Sequence, residues 1–154
     1  MKIVHRVTVE QMRAHWTDIA SDLMFTCGIE YPVTDAAAQQ YLEAALGRAL
    51  WLLDDDGNVI GHAVLVIKDG VADTGIAVSK ANRRQGLGTL LLLAAEHRAR
   101  SEGAHTITGV NVNKLNAASL GLVQRNGWVV DESDPAQMER GTCNVSKRLA
   151  ARSQ

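Results

Sequence analysis

The N-terminal part of the chain carries two runs of apolar residues at helical spacing. Thr8 caps the first predicted helix, and Gln11, three residues later, completes a capping box. The apolar face of this helix consists of Val9, Met12, Trp16, Ile19, Ala20 and Leu23. The second predicted helix follows from Asp35, an N-cap type of residue. Its apolar face consists of Ala38, Tyr41, Leu42 and Ala45.

Two further helices are predicted in the second half of the chain. One runs from Gly86 to about Arg100. Asn116 caps the other, and Asn126 with Gly127 closes it as a pair suited to left-handed geometry. The buried face predicted for the helix after Gly86 consists of Leu87, Leu90, Leu91, Ala94 and Ala95.

Short apolar runs predict the strands. The first covers residues 3–7, and the next three cover residues 49–53, 59–67 and 71–78. The turn signals Asp56-Gly57 and Lys68-Asp69-Gly70 separate the last three, which predicts an antiparallel meander.

The remaining strands complete a mixed sheet. Residues 106–112 follow the third helix, and this order favours a right-handed crossover between parallel neighbours. Residues 128–130 and 143–149 form a final pair, separated by a polar loop around Pro135. The elements together predict an α+β fold, one mixed sheet flanked by helices in a single domain over residues 1–154.

Composition narrows the class of protein. The chain has 154 residues and a net charge of −1, so nucleic acid is not an expected partner. Its start has no apolar segment typical of a signal peptide, and no run reaches the ~20 residues that a bilayer needs. Cys27 and Cys143 have no disulfide or metal spacing and are expected to be small buried residues of a reduced, cytoplasmic protein.

The charge is unevenly distributed. Residues 8–56 contain nine acidic and two basic residues, whereas residues 76–104 contain five basic and two acidic residues. The second region therefore suits an anionic ligand. The acidic region suits a cationic ligand, although solvated helix faces are the simpler explanation of it.

A basic, glycine-containing turn leads directly from the strand over residues 71–78 into a helix. Gly86 and Gly88 let an anion approach the backbone, and the N-terminus of the helix offers unpaired N–H groups. Arg83 and Arg84 add positive charge, and Thr89 adds a hydroxyl. The turn matches neither the Gly-Lys pair of a P-loop nor the third glycine of a dinucleotide fingerprint.

The turn and its flanks resemble the GCN5-related N-acetyltransferase (GNAT) superfamily, which carries a Q/R-x-x-G-x-G/A loop. Arg83 to Gly88 matches that loop, five residues after Val78, the end of an apolar-x-Val strand. Downstream, Asn116 stands four residues after a second apolar-x-Val strand, and a helix then ends in Gly127-Trp128, with Trp for the usual Phe. The order of elements matches over nearly the whole chain.

The resemblance implies a binding site for acetyl-CoA as co-substrate, with no metal. The loop N–H groups would hold the pyrophosphate, and the strand backbone at residues 76–78 would pair with the pantetheine amides. A backbone N–H near Val78 would polarise the acetyl carbonyl. The implied cofactor-binding residues are Ile76, Ala77, Val78, Arg83, Arg84, Gln85, Gly86, Leu87, Gly88, Thr89, Asn116 and Ser119.

The chain departs from the family pattern at the position of the general acid. Many family members have a Tyr general acid four residues before the Gly-aromatic pair, and this chain has Val123 there. Asp73 and His62 are candidate general bases, with a solvated Asp and a satisfied strand His as the plainer interpretations. Glu30 and Tyr31 lie where the family often builds its acceptor pocket, or are plain loop residues.

Two functions remain open at this point. One is an N-acetyltransferase whose acceptor is a primary amine of a small molecule or protein, with transfer of a longer acyl group as a variant. The other is a non-catalytic acyl-CoA-binding or sensing module, which the missing Tyr favours. Neither nucleic acid nor a membrane is an expected partner, and the resemblance allows a homodimer.

Overall fold

The structure is a computed structural model, and it describes residues 1–21 and 33–150. The described residues form a seven-stranded sheet in the order β1-β2-β3-β4-β5-β7-β6. Its strands are β1 (Lys2–Val4), β2 (Ala49–Leu53), β3 (Val59–Lys68), β4 (Val71–Val78), β5 (Thr106–Asn113), β6 (Val129–Asp131) and β7 (Thr142–Arg148).

The described residues also contain five α-helices. These are α1 (Val9–Ala20), α2 (Asp35–Ala45), α3 (Leu87–Ser101), α4 (Ala117–Arg125) and α5 (Pro135–Arg140). The capping box at Thr8 and Gln11 is confirmed, but Thr34 rather than Asp35 caps α2. None of these helices combines the length and the apolar character needed to cross a bilayer.

The strand pairing makes the sheet mixed, as predicted. β2 pairs antiparallel with β1 and β3, and the two-residue turn at Asp69-Gly70 joins β3 to its neighbour β4. β4 and β5 are parallel, with α3 as their connection, and β7 runs antiparallel to both β5 and β6. The predicted meander, parallel crossover and final strand pair are therefore confirmed.

Contacts divide the chain into two compact units. The first unit consists of Met1–Val64 and Ile76–Leu93, and the second consists of Leu65–Gly75 and Ala94–Gln154. In the first unit, Met12 and Trp16 of α1 are buried in one core with Trp51 of β2. Close packing of α3 on β3 requires a glycine, since a Cβ at Gly61 would lie 2.8 Å from Cδ1 of Leu91.

A buried carboxylate organises the second unit. Glu96 of α3 is only 2% exposed. It accepts a hydrogen bond of 2.9 Å from Nε1 of Trp128, and Nζ of Lys147 lies 3.1 Å and 3.2 Å from its two oxygens. Lys147 also donates to the Asn126 carbonyl at 2.9 Å. The ion pair thereby ties α3 to β7 and to the end of α4, and Trp128 is a structural anchor.

Three further details of the fold predicted from the sequence are wrong. The polar loop predicted around Pro135 contains helix α5, which Asp134 caps and left-handed Gly141 ends. Its caps, not an apolar face, stabilise this helix, because only Gln137 is buried in it. Leu90, expected on the buried face of α3, is 41% exposed. The first strand covers Lys2–Val4 instead of residues 3–7, since its pairing with β2 ends at Val4.

Replacing Lys147 with Met is expected to lower the free energy of unfolding by about 2–3 kcal/mol, because the Glu96 carboxylate would remain buried without its main counter-charge. Urea denaturation measures the loss. The matched control is Lys114→Met, which breaks an ion pair with the exposed carboxylate of Glu132 and should cost about 0–1 kcal/mol. Equal losses in both variants would contradict a structural role for the buried pair, and adding Glu96→Gln to Lys147→Met should recover part of the stability.

Candidate active site

The turn that precedes α3 folds its backbone into an anion-binding concavity. After a short 3₁₀ helix over Lys80–Asn82, positive φ values occur at Arg84 (62°) and Gly86 (78°), and Gln85 between them lies outside that region. Alternation of this kind turns successive N–H groups toward one side. A Cβ at Gly86 would meet nothing within 4 Å, so open space lies in front of the backbone there.

The first turn of α3 adds further free donors. The N–H of Leu90 bonds to the Gly86 carbonyl at 3.1 Å, so the N–H groups of the three preceding residues have no acceptor within the helix. The first turn contains no acidic residue that would neutralise its positive dipole end. Residues 83–89, the phosphate loop from here on, therefore combine a backbone concavity with a helix N-terminus.

Arg83 has a structural contact in addition to its charge. Its Nε donates to the carbonyl oxygen of Val78 at 3.1 Å, which ties the phosphate loop back to the end of β4. Arg84 is exposed beside the concavity, and its left-handed backbone is part of the loop geometry. The sequence-based assignment of both arginines to the loop thus agrees with their positions, while their contact with a ligand remains a prediction.

A buried polar chain lies next to the start of this loop. Nδ1 of His15 on α1 is 2.8 Å from the Ser79 hydroxyl, and Nε2 of His15 is 2.9 Å from Nδ1 of His62 on β3. The His62 ring stacks on Trp51 with 5.3 Å between centroids and contacts Trp16. Both imidazoles are almost fully buried.

Burial determines the charge of this histidine pair. It lowers the pKa of His15 to about 4. Burial, together with the adjacent His15, places the pKa of His62 well below its ordinary value of 6.5. The pair is therefore neutral near pH 7. A buried neutral imidazole with a lowered pKa is a weak acceptor for a proton from an ammonium group, which argues against His62 as the direct general base.

Asp73 occupies a different environment, in the second unit. It stands at the last residue pair of the parallel β4–β5 ladder, opposite Thr108, whose hydroxyl lies 3.5 Å from its carboxylate. Burial raises the pKa of Asp73, against hydrogen bonds from Thr108 and Thr74 that lower it. The side chain is still solvent-exposed, so Asp73 combines access with a strengthened basicity.

Both faces of β4 are partly covered. Ala72 and Ala77, an odd number of positions apart and so on opposite faces of the strand, are both buried. The β4–β5 ladder ends at Asp73, and Ile76, Ala77 and Val78 lie beyond it, as pairing with a ligand backbone would require.

The other proposed site residues lie on α4. The Asn116 side chain accepts a hydrogen bond from the Ser119 N–H at 3.1 Å and so caps the helix. Val123 accepts the Trp128 N–H through its carbonyl and offers no hydroxyl. Cofactor contacts of Asn116 and Ser119 stay predictions. Glu30 and Tyr31, predicted to line the acceptor pocket, fall outside the described residues.

Sequence reasoning missed the buried partners of the loop, above all His15 and Ser79. A signal for His15 exists, because it lies between Met12 and Ile19 on the apolar stripe of α1 and so had to be buried. No comparable signal marks Ser79, whose importance depends on a contact across 64 positions of the chain.

Comparison with known proteins decides the family. The model of the Acetyltransferase (GNAT) family matches residues 13–128, which include β4, the phosphate loop and α4. The chain belongs to the GNAT acetyltransferase family. The resemblance inferred from the loop and its flanks is thereby confirmed. No curated protein sequence matches the chain significantly.

Solved structures share the fold of this GNAT protein. An acetyltransferase of the GNAT family from Streptococcus pneumoniae has a TM-score of 0.76 at 19% identity, with 97% of this chain and 100% of that chain covered. Ribosomal-protein-alanine N-acetyltransferase from Brucella melitensis has a TM-score of 0.75 at 20% identity, covering 97% and 100%. A phosphinothricin acetyltransferase from Sinorhizobium meliloti in complex with acetyl-CoA has a TM-score of 0.76 at 17% identity, covering 97% and 88%.

The low pKa of His15 predicts a pH-dependent stability. The unfolded chain takes up this proton near the ordinary pKa of 6.5, whereas the folded chain does so at about 4. The stability is therefore present above pH 6.5 and decreases by about 3 kcal/mol as the pH falls to 4. His15→Gln should flatten this part of the stability curve in urea denaturation at stepped pH.

The control for this measurement is His97→Gln, at an exposed histidine of α3. It should leave the slope of the wild type unchanged, since both proteins retain the buried pair. An identical slope in the wild type and in His15→Gln would show that the buried pair does not carry the linkage.

Proposed function

We propose that this GNAT protein transfers the acetyl group of acetyl-CoA to a primary amine of a small molecule or protein. Membership of the family supports acetyl transfer in general. The observation that carries the assignment to this chain is the phosphate loop. Its left-handed residues Arg84 and Gly86 and the free N–H groups of α3 form a site for a doubly charged pyrophosphate.

The residues of β4 suit the rest of the co-substrate. Its last residues, 76–78, lie beyond the β4–β5 ladder and are joined to the phosphate loop by Ser79 and the short 3₁₀ helix. A backbone of this kind can pair with an extended amide-containing arm as an added strand. An N–H near Val78 would then face the thioester carbonyl and stabilise the negative charge that develops on its oxygen.

The acceptor must lose a proton before its nitrogen attacks the thioester carbon. We assign this role to Asp73, directly or through one water molecule, because its carboxylate is accessible and burial raises its pKa. The new C–N bond then replaces the C–S bond, and coenzyme A leaves as a thiolate. Val123 supplies no proton for that thiolate, so solvent is the proton source in this proposal.

Two glycines provide a matched test of the co-substrate site. Gly86 and Gly57 have φ values of 78° and 84°, and a Cβ at either would meet nothing within 4 Å. Changing either to Ala should cost about 1–2 kcal/mol of stability through the left-handed backbone. Only Gly86→Ala should weaken acetyl-CoA binding, by about 10-fold or more in calorimetric titration, because its methyl group would project into the anion site.

The same titration discriminates between the two functions. The wild type should bind acetyl-CoA and, with a panel of primary amines, release coenzyme A thiol and give an acetylated amine by mass spectrometry. Tight binding without transfer to any amine would favour an acyl-CoA-binding module, the alternative that Val123 suggests. Absence of binding by the wild type, or equal binding by both glycine variants, would contradict the assigned site.

Asp73→Asn is expected to lower kcat about 100-fold or more and to leave acetyl-CoA binding unchanged, because it removes the base and keeps the shape. The acid limb of the pH–rate profile should disappear with it, since the rate of the wild type falls as Asp73 becomes protonated. Asp69→Asn, four residues earlier in an exposed turn, is the control. A kcat of Asp73→Asn close to that of the control would remove Asp73 from the mechanism.

A further inference from the structure

One side of α1 contacts the chain where it enters the phosphate loop. His15, Asp18 and Ser21 follow one another at intervals of three residues, which places them along neighbouring turns of the helix. They contact two consecutive residues, Ser79 and Lys80, more than 55 positions later in the chain. No contact of this kind is required for α1 to bury its apolar stripe.

The contacts from α1 satisfy polar groups at the start of the 3₁₀ helix that precedes the phosphate loop. Ser79 is the N-cap of the 3₁₀ helix Lys80–Asn82, but its side chain makes no cap hydrogen bond. Its hydroxyl bonds instead to Nδ1 of His15 at 2.8 Å. Oδ2 of Asp18 accepts the Lys80 N–H at 2.8 Å, a donor at the first helical position that has no acceptor within the 3₁₀ helix, and Nζ of Lys80 donates to the Ser21 hydroxyl.

The other side of the same residues is fixed by the sheet. The Ser79 N–H donates to the Ile60 carbonyl at 2.9 Å, and His15 is itself held by His62. Ser79 is buried, and Asp18 is half-buried. The chain between β4 and the phosphate loop is thus held from β3 on one side and from α1 on the other.

We propose that His15 and Asp18 are positioning residues for acetyl-CoA, which act by fixing the start of the phosphate loop. The inference rests on the proposed function, because it assumes that the loop binds this co-substrate. The concavity at Arg84 and Gly86 begins four residues after Lys80. A loop held at its start presents its N–H groups in one orientation, and a freed loop must be ordered again when the anion binds.

The charge of Asp18 and its hydrogen bond to Lys80 should change the affinity for acetyl-CoA in opposite directions. Variants can therefore separate the two effects. The Asp18 carboxylate is an anion close to a site for an anion, so removing its charge should by itself strengthen acetyl-CoA binding. Asp18→Ala and Asp18→Asn both remove the charge. Only Asp18→Asn keeps an oxygen that can accept the Lys80 N–H.

We expect Asp18→Ala to raise the Kd for acetyl-CoA about 3- to 10-fold in calorimetric titration of the full chain. Asp18→Asn should bind as tightly as the wild type or more tightly. Thr17→Ala is the matched control on the same helix, since the Thr17 hydroxyl donates to the Arg13 carbonyl within α1. It should leave the Kd unchanged, and kcat at saturating acetyl-CoA should change little in all three variants.

A second pair of variants tests His15 against a purely structural role. His15→Leu removes the bond to Ser79, and Met12→Ala creates a cavity in the core of the same helix without touching the loop. Both should lower the melting temperature. Only His15→Leu should also raise the Kd for acetyl-CoA, measured well below both melting temperatures, by about 3-fold or more.

The possible outcomes distinguish failure of the positioning role from failure of the proposed acetyltransferase function. Binding by Asp18→Ala that equals or exceeds binding by Asp18→Asn, or equal Kd values for His15→Leu and Met12→Ala, would overturn the positioning role while the acetyltransferase assignment stands. Failure of the wild type to bind acetyl-CoA would overturn both. A selective loss of affinity in Asp18→Ala and His15→Leu would establish the role.

Discussion

The hydrogen bond from the Ser79 N–H to the Ile60 carbonyl fixes the place where the chain leaves the sheet. Upstream of it, β4 is a strand of the sheet between β3 and β5. Downstream, the chain must reverse into α3 within a few residues, and the left-handed backbone at Arg84 and Gly86 makes that reversal possible. The free N–H groups of the helix are therefore presented at a position that the sheet defines, and the anion site depends on this fixed point.

Two buried polar clusters among the described residues are stabilised in opposite ways. His15 and His62 stay neutral and satisfy each other, so their burial carries no charge into the core. Glu96 carries a charge and is satisfied by Lys147 and Trp128. In both cases a helix is attached to the sheet in a defined register, which apolar packing, tolerant of small shifts, does not provide by itself. The ion pair depends on its partners more strongly, because an unpaired buried charge is far more costly than an unpaired imidazole.

The phosphate loop could be predicted from the sequence, whereas the catalytic groups could not. The reason is that backbone N–H groups, and not particular side chains, are proposed to bind the phosphate. A backbone concavity requires particular residues, such as Gly86, and leaves a local signature over residues 83–89. A general base has no such signature, because any accessible carboxylate at the right place suffices. Asp73 and His62 were equal candidates by sequence, and they differ only through burial, which leaves Asp73 accessible and encloses His62 between two indoles.

The sequence by itself determined the elements and the loop. Helical periodicity, the Thr8 capping box and the turn signals at Asp56-Gly57 and Asp69-Gly70 are local, so their effect is visible within a few residues. Helix α5 was not predicted, because it is stabilised by its caps and has no apolar periodicity. Three contacts were decided only by the tertiary structure. His15 bonds to Ser79, Asp18 accepts a hydrogen bond from the Lys80 N–H, and Glu96 forms an ion pair with Lys147. These pairs join residues about 50 to 65 positions apart, and their distances follow from how the helices pack on the sheet, which no local pattern encodes.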